Sequence, residues 1–141
     1  MSVDPINPKD LGPASGFSHG QLGREGGRVL FVAGQIGVTD GVTPAVMNEG
    51  AFVDQFAEAL RRVLCVVEDA QGGRGDIGRM TIYVTDMDLY RRSRKELGVV
   101  WKAWMHPHYP AMALVEVKSL VDPLAMVEME ATAVIGGVES K

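Results

Sequence analysis

The chain has 141 residues, 46% of them hydrophobic, and its formal net charge of -4 is spread as mixed acids and bases. That length supports one domain, residues 1–141, around one core, and the charge gives no general reason to expect nucleic acid or an anionic membrane as a partner. A single cysteine, Cys65, excludes an internal disulfide, and no apolar run approaches the ~20 residues of a membrane span.

Met1-Ser2-Val3-Asp4-Pro5 has neither the basic start nor the apolar core of a signal peptide, so a cytoplasmic location is expected. Residues 1–16 carry three prolines and two glycines and read as an extended arm. Residues 17–22 have a strand-like pattern that ends at Gly23. After a turn at Gly26-Gly27 comes a β-branched and aromatic run over residues 28–36, and the two segments read as a hairpin. Residues 39–50 read as loop, with Asn48 as N-cap of the following helix. In that helix Phe52, Phe56, Leu60, Val63 and Val67 fall within a sector of about 80°, up to a stop at Gly72-Gly73. Asp54, Glu58, Arg61, Cys65 and Glu68 take the opposite side.

Residues 80–84 form a further strand. Asp86 or Asp88 caps a second helix over residues 89–105, with Leu97, Val100, Trp101 and Trp104 inward, and Pro107 and Pro110 end it. Strands at 113–117 and 126–134 follow, joined through Asp122-Pro123, and residues 136–141 read as a flexible tail. The order β-β-α-β-α-β-β predicts an α+β domain: a mixed β-sheet with two helices on one face. The other face, with apolar residues to spare, predicts self-association.

Several segments together resemble the RidA/YjgF family, whose members have carried the labels translation inhibitor and endoribonuclease. Val32-Ala33-Gly34-Gln35-Ile36 resembles the family's "SGQIP", and Gln55 its usual helix glutamine. Ile82-Tyr83-Val84-Thr85-Asp86-Met87 is similar to "vFvkDm". Pro110-Ala111-Met112-Ala113-Leu114-Val115-Glu116-Val117 is similar to "PARSxVeV", and Val127-Glu128-Met129-Glu130-Ala131-Thr132-Ala133 to "vEIEaiA". They occur in order over nearly the whole chain. The resemblance implies a chorismate-mutase-like fold, a homotrimer, and small-molecule clefts at the subunit interfaces. It also implies hydrolysis of imines and enamines derived from amino acids, without metal or cofactor.

In such deaminases an arginine after Pro-Ala grips the substrate carboxylate, a need that follows from desolvating a small anion. Here that position is Met112, and a thioether cannot bind a carboxylate; such a loss costs about 1–3 kcal/mol. The tyrosine of the first strand is Phe17, the serine of "SGQIP" is Ala33, the cysteine of "PARSC" is Leu114, and an asparagine usual in the second helix falls on Gly98. Glu128, which would help position water, and the pair Gly34-Gln35 are retained. This diverged set makes Phe17, His19, Ala33, Gly34, Gln35, Met112, Leu114 and Glu128 the candidate ligand contacts, with Glu128 the candidate catalytic group. His19 shares strand phase with Phe17 and is a candidate proton donor; its alternative is a surface histidine.

Other groups read more simply. His106-x-His108 beside Tyr109 lacks a further metal ligand at useful spacing and is a loop feature. Met126 and Met129, like Met112, are also candidates for core or interface filler. Cys65 has no histidine partner near it in sequence. Arg91-Arg92-Ser93-Arg94-Lys95 is a solvated helix face, too short for a nucleic-acid footprint. Two readings of function therefore stand beside RNA cleavage or binding as a third. One is a binder of a small, largely apolar or uncharged metabolite, with hydrolysis of an altered imine or enamine through Glu128. The other is a non-catalytic, regulatory or chaperone-like trimer.

Overall fold

A computed structural model describes residues 1–38 and 49–138. Asn48 and most of the expected loop before the first helix lie outside the described residues. The strands are β1 (Val3–Ile6), β2 (Gly20–Gly23), β3 (Arg28–Ile36), β4 (Ile77–Val84), β5 (Ala111–Glu116) and β6 (Val127–Ile135). The helices are α1 (Glu49–Asp69), α2 (Met87–Arg92) and α3 (Arg94–Met105).

One four-stranded sheet, in the order β3-β6-β4-β5, is mixed: β4 and β5 run parallel and the other pairs antiparallel. Period-two alternation sets its faces. Val127, Met129, Ala131, Ala133 and Ile135 of β6 are buried, as are Met80, Ile82 and Val84 of β4. They meet Phe52, Phe56, Leu60, Val63 and Val67, the expected stripe of α1, and together these form one core. The opposite face of the sheet is bare, with Val29 58%, Phe31 80% and Val115 42% exposed. Among the described residues no helix is long and apolar enough to cross a membrane.

The expected hairpin is not formed. β2 pairs antiparallel with β1 in the arm, and β3 pairs with β6. The four-residue gap between β2 and β3 is too long for a tight two-residue turn, and the arm supplies a better-anchored partner. Arg24 donates to Asp4 at 2.6 and 2.9 Å, and its backbone N–H donates to the Ser2 carbonyl. The second helix is also two pieces. Asp86 caps α2, its side chain accepting from the Leu89 N–H at 3.0 Å. Ser93, with ψ of 4°, then interrupts the run, its N–H reaching both the Leu89 and Tyr90 carbonyls. The buried stripe of α3 is Leu97, Trp101 and Met105, whereas Trp104, expected inward, is 39% exposed. An i, i+4, i+8 ridge leaves residue 104 beside the contact, not on it.

Gln55 ties α1 to the entry of β6. Its Nε2 donates to the Leu124 carbonyl at 2.9 Å and its Oε1 accepts from the Met126 N–H at 2.8 Å. Gln55→Leu, which strands both backbone groups in a buried place, is expected to cost about 3 kcal/mol. Urea unfolding of the two proteins measures this directly, and equal midpoints would refute it.

Glu58 accepts from Arg61 at 2.7 and 2.9 Å and from Arg62 at 3.1 Å. Arg62 also donates to the Ile36 and Val38 carbonyls, both at 2.9 Å, and so fastens the end of β3 to α1. The hydrogen bond from Arg61 is the main reason the Glu58 carboxyl is lowered from 4.5 to about 2. A lowered folded-state value means this contribution is complete above pH 4.5 and fades as pH falls toward about 2. Stability measured from pH 7 down to pH 3 should therefore fall less steeply in Glu58→Gln than in the parent; parallel curves would refute the linkage.

Candidate functional site

Two groups of candidate residues emerge, on opposite faces of the sheet. The first surrounds a cavity of about 440 Å³ at the β5 edge, within the size range of small-molecule sites. Met112 and Leu114 stand in register with Met80 and Ile82, so their side chains share the helix-covered face. Phe17 is brought over the same space by Ser18. The Ser18 backbone N–H donates to the Pro110 carbonyl at 3.0 Å, its hydroxyl donates to the Tyr109 carbonyl at 2.7 Å, and residue 18 bridges Ala111 in parallel. Phe17, Met112 and Leu114 therefore line one cavity. So does Gly98, where an added Cβ would meet no atom within 4 Å. Across from β5 the wall is completed by Tyr90, Arg94, Trp101, Lys102 and Tyr109, with Trp101 and Tyr109 stacked at 6.1 Å and 17°.

None of those five was a site candidate in the sequence, where Trp101 read as an inward helix residue, Tyr109 as part of a loop and Arg94 as part of a solvated helix face. Their signal was α3 itself, where Arg94, Leu97, Gly98, Trp101 and Lys102 share one helical stripe at i, i+3, i+4, i+7 and i+8. Arg94 thus departs from its basic neighbours. Arg91 pairs with Asp88 at 3.4 Å, while Arg94 stands at the cavity. His19 lies one ring further out. It packs edge-on against Phe17 at 5.1 Å, and its Nε2 donates to the Gly12 carbonyl at 3.2 Å.

The second group sits at a bulge of β3 between Val32 and Gln35. Glu128 of β6 lies opposite both Ile36 and Tyr83, on the same side as exposed Glu130 and away from buried Val127 and Met129, as alternation required. A Cβ on Gly34 would stand 2.8 Å from Glu128 Oε1, so a side chain there would displace this carboxylate from its present position. The Gln35 side chain turns back and donates to the Ala33 carbonyl at 3.2 Å. Tyr83 donates to Glu130 at 2.7 Å, and that bond pushes the phenol up from its ordinary value. Glu128 on β6 is two strands from β5, roughly 10 Å, and points to the face opposite the cavity. Within one chain Glu128 therefore does not reach the cavity that holds Phe17 and Met112.

The remaining candidates are structural or solvent-facing. His108 is buried, with Nε2 donating to the Ile77 carbonyl. Met126 and Met129 belong to the core, and Cys65 is exposed on α1. Among the described residues no three His, Cys, Asp or Glu side chains group as metal ligands.

A mixed sheet with helices on one face, a bare second face and a ligand-sized space at its parallel edge is the chorismate-mutase-like α+β fold. Comparisons with known proteins agree. The family model described as Endoribonuclease L-PSP matches residues 8–135. A RutC family protein of Pyrococcus horikoshii is 29% identical over 126 residues, spanning 89% of this chain and 90% of its own. The Escherichia coli YjgF gene product aligns over 92% of this chain and 93% of its own, with 27% identity and a TM-score of 0.63. Escherichia coli TdcF, solved with bound serine, aligns over 95% and 98%, with 26% identity and a TM-score of 0.63. The chain belongs to the RidA/YjgF family.

Proposed function

We propose that this protein binds a small metabolite with a substantial apolar part, in clefts completed by neighbouring copies of the chain in a homotrimer. The observation that carries this reading is the convergence of Phe17, Met112 and Leu114 on one cavity, with a thioether at position 112 where the family's deaminases place a guanidinium. The relative TdcF, solved with serine, supports a small molecule as the occupant. The exposed Val29, Phe31 and Val115 support a second copy over the bare face. Glu128 lies on that face, so a neighbouring copy is the route by which its carboxylate would approach a cavity.

If the protein is a catalyst, the step is cofactor-free hydrolysis of an imine or enamine of altered specificity. Glu128 would orient the water that attacks the C=N carbon, and amine departure would leave a carbonyl. The family's 2-iminoacid deamination is disfavoured because Met112 has no charge for the substrate carboxylate.

The test has three parts. Light scattering should give a mass three times that of the chain. The parent should show little turnover of 2-iminoacids generated in situ, and Met112→Arg should raise that turnover by about tenfold or more. A monomer, or a parent already as active as its Met112→Arg variant, would overturn the reading. A Glu128→Ala variant separates the two branches. Loss of turnover on an imine panel marks a hydrolase; a panel that the parent does not turn over favours the non-catalytic trimer.

A further inference from the structure

We propose that the Met112 cavity takes an amphipathic monoanion, an aryl-bearing carboxylate. Its apolar body lies against Phe17, Met112 and Leu114, and its charge is met from α3 by Arg94 and Lys102. This rests on the reading that the cavity is a ligand site, and adds the ligand's chemical class and orientation.

Three observations combine. Arg94 and Lys102 both line the cavity, and no Asp or Glu does, although the chain as a whole carries a net charge of -4. Neither cation has a salt-bridge or hydrogen-bond partner among the described residues, whereas Arg24, Arg61, Arg62 and Arg91 are all ion-paired. An unpaired guanidinium and an unpaired ammonium beside an apolar wall are well placed to receive an anion that arrives with its own apolar surface.

Gly98 stands midway between them, four residues from each, or about 6 Å of axial rise either way. Its missing side chain leaves open space, with no atom within 4 Å of the Cβ position. A carboxylate over this bare stretch of α3 is within reach of both flexible side chains. The stacked Trp101 and Tyr109 rings, with Phe17, give the rest of the ligand aromatic surfaces.

The consequence is a reversed ligand. In the family's deaminases the cation lies on the strand, at the position of Met112. Here the strand is apolar and the cations lie on the facing helix, so the charged end points toward α3.

The probes are 3-phenylpropionate, its neutral amide and acetate, titrated calorimetrically into the full chain. Phenylpropionate should bind about tenfold or more tightly than the amide, a gap of about one hydrogen-bonded charge. Acetate, lacking the apolar body, should not bind measurably. The gap should close in Arg94→Gln/Lys102→Gln, with amide affinity retained, and should shrink at 0.5 M salt, where the screening length is only about 4 Å. Acid and amide binding equally, with both lost in Gly98→Leu, would overturn the anion assignment and leave the cavity reading standing. An acid preference that persists in the double variant would also overturn the anion assignment. Binding of neither probe, or binding unaffected by Gly98→Leu, would overturn both.

Discussion

Gly98→Leu is expected to yield a folded protein about 0.5–1 kcal/mol more stable than the parent, yet one that has lost cavity binding by about a hundredfold. Glycine in a helix interior is disfavoured relative to leucine by nearly 1 kcal/mol, through backbone entropy. Here a Cβ meets nothing within 4 Å, and the space beyond is the cavity. A leucyl side chain would occupy the floor between Arg94 and Lys102 and bury itself against Leu97, Trp101 and Met112. Thermal or urea unfolding, paired with titration of phenylpropionate, reads both effects. A variant that is destabilised, or that binds as the parent does, would show that the space at residue 98 is not the ligand's.

Gly37→Ala should do the reverse, destabilising the protein by about 3 kcal/mol or more and lowering its urea midpoint by about 1 M. Residue 37 is buried just past the end of β3, where the chain crosses α1. An added methyl carbon would stand 1.9 Å from the Gln55 carbonyl oxygen and 2.5 Å from its carbon. These are backbone atoms of a helix, with no rotamer to change. The strand end cannot easily back away, because Arg62 grips the carbonyls on either side, at Ile36 and Val38. Relief therefore requires moving α1 or giving up those two bonds. With total stabilities near 5–15 kcal/mol, that is a large share. An unchanged midpoint would refute the close approach.

The parts of this molecule that were legible in advance are those fixed by local chemistry. Five apolar residues at helical spacing named the buried face of α1, and strict alternation placed Glu128 and Glu130 on one side of β6 and Val127 and Met129 on the other. The capping carboxylate of Asp86 was one of two readable choices. What failed was partner choice. Residues 17–22 and 28–36 looked like a hairpin because they are near each other in sequence, but an extended arm offered Asp4 and Ser2 to Arg24 and took β2 for itself. Trp104 was misplaced for a related reason: the apolar residues of α3 fit more than one stripe, and only contact with the rest of the core, α1 included, selects the one through Trp101.

The sequence by itself determined that a mixed sheet would carry helices on one face, and its resemblance to the family's deaminases implied that position 112 holds sulfur where they hold charge. Side-chain type and period, both local properties, suffice for the first. Only the tertiary structure decided that Phe17, Met112 and Leu114 share a cavity with Arg94 and Lys102, and that Glu128 lies across the sheet from all of them. Those relations depend on which strand lies at the edge and how far a helix is rotated against it, and many residues distant along the chain settle both together.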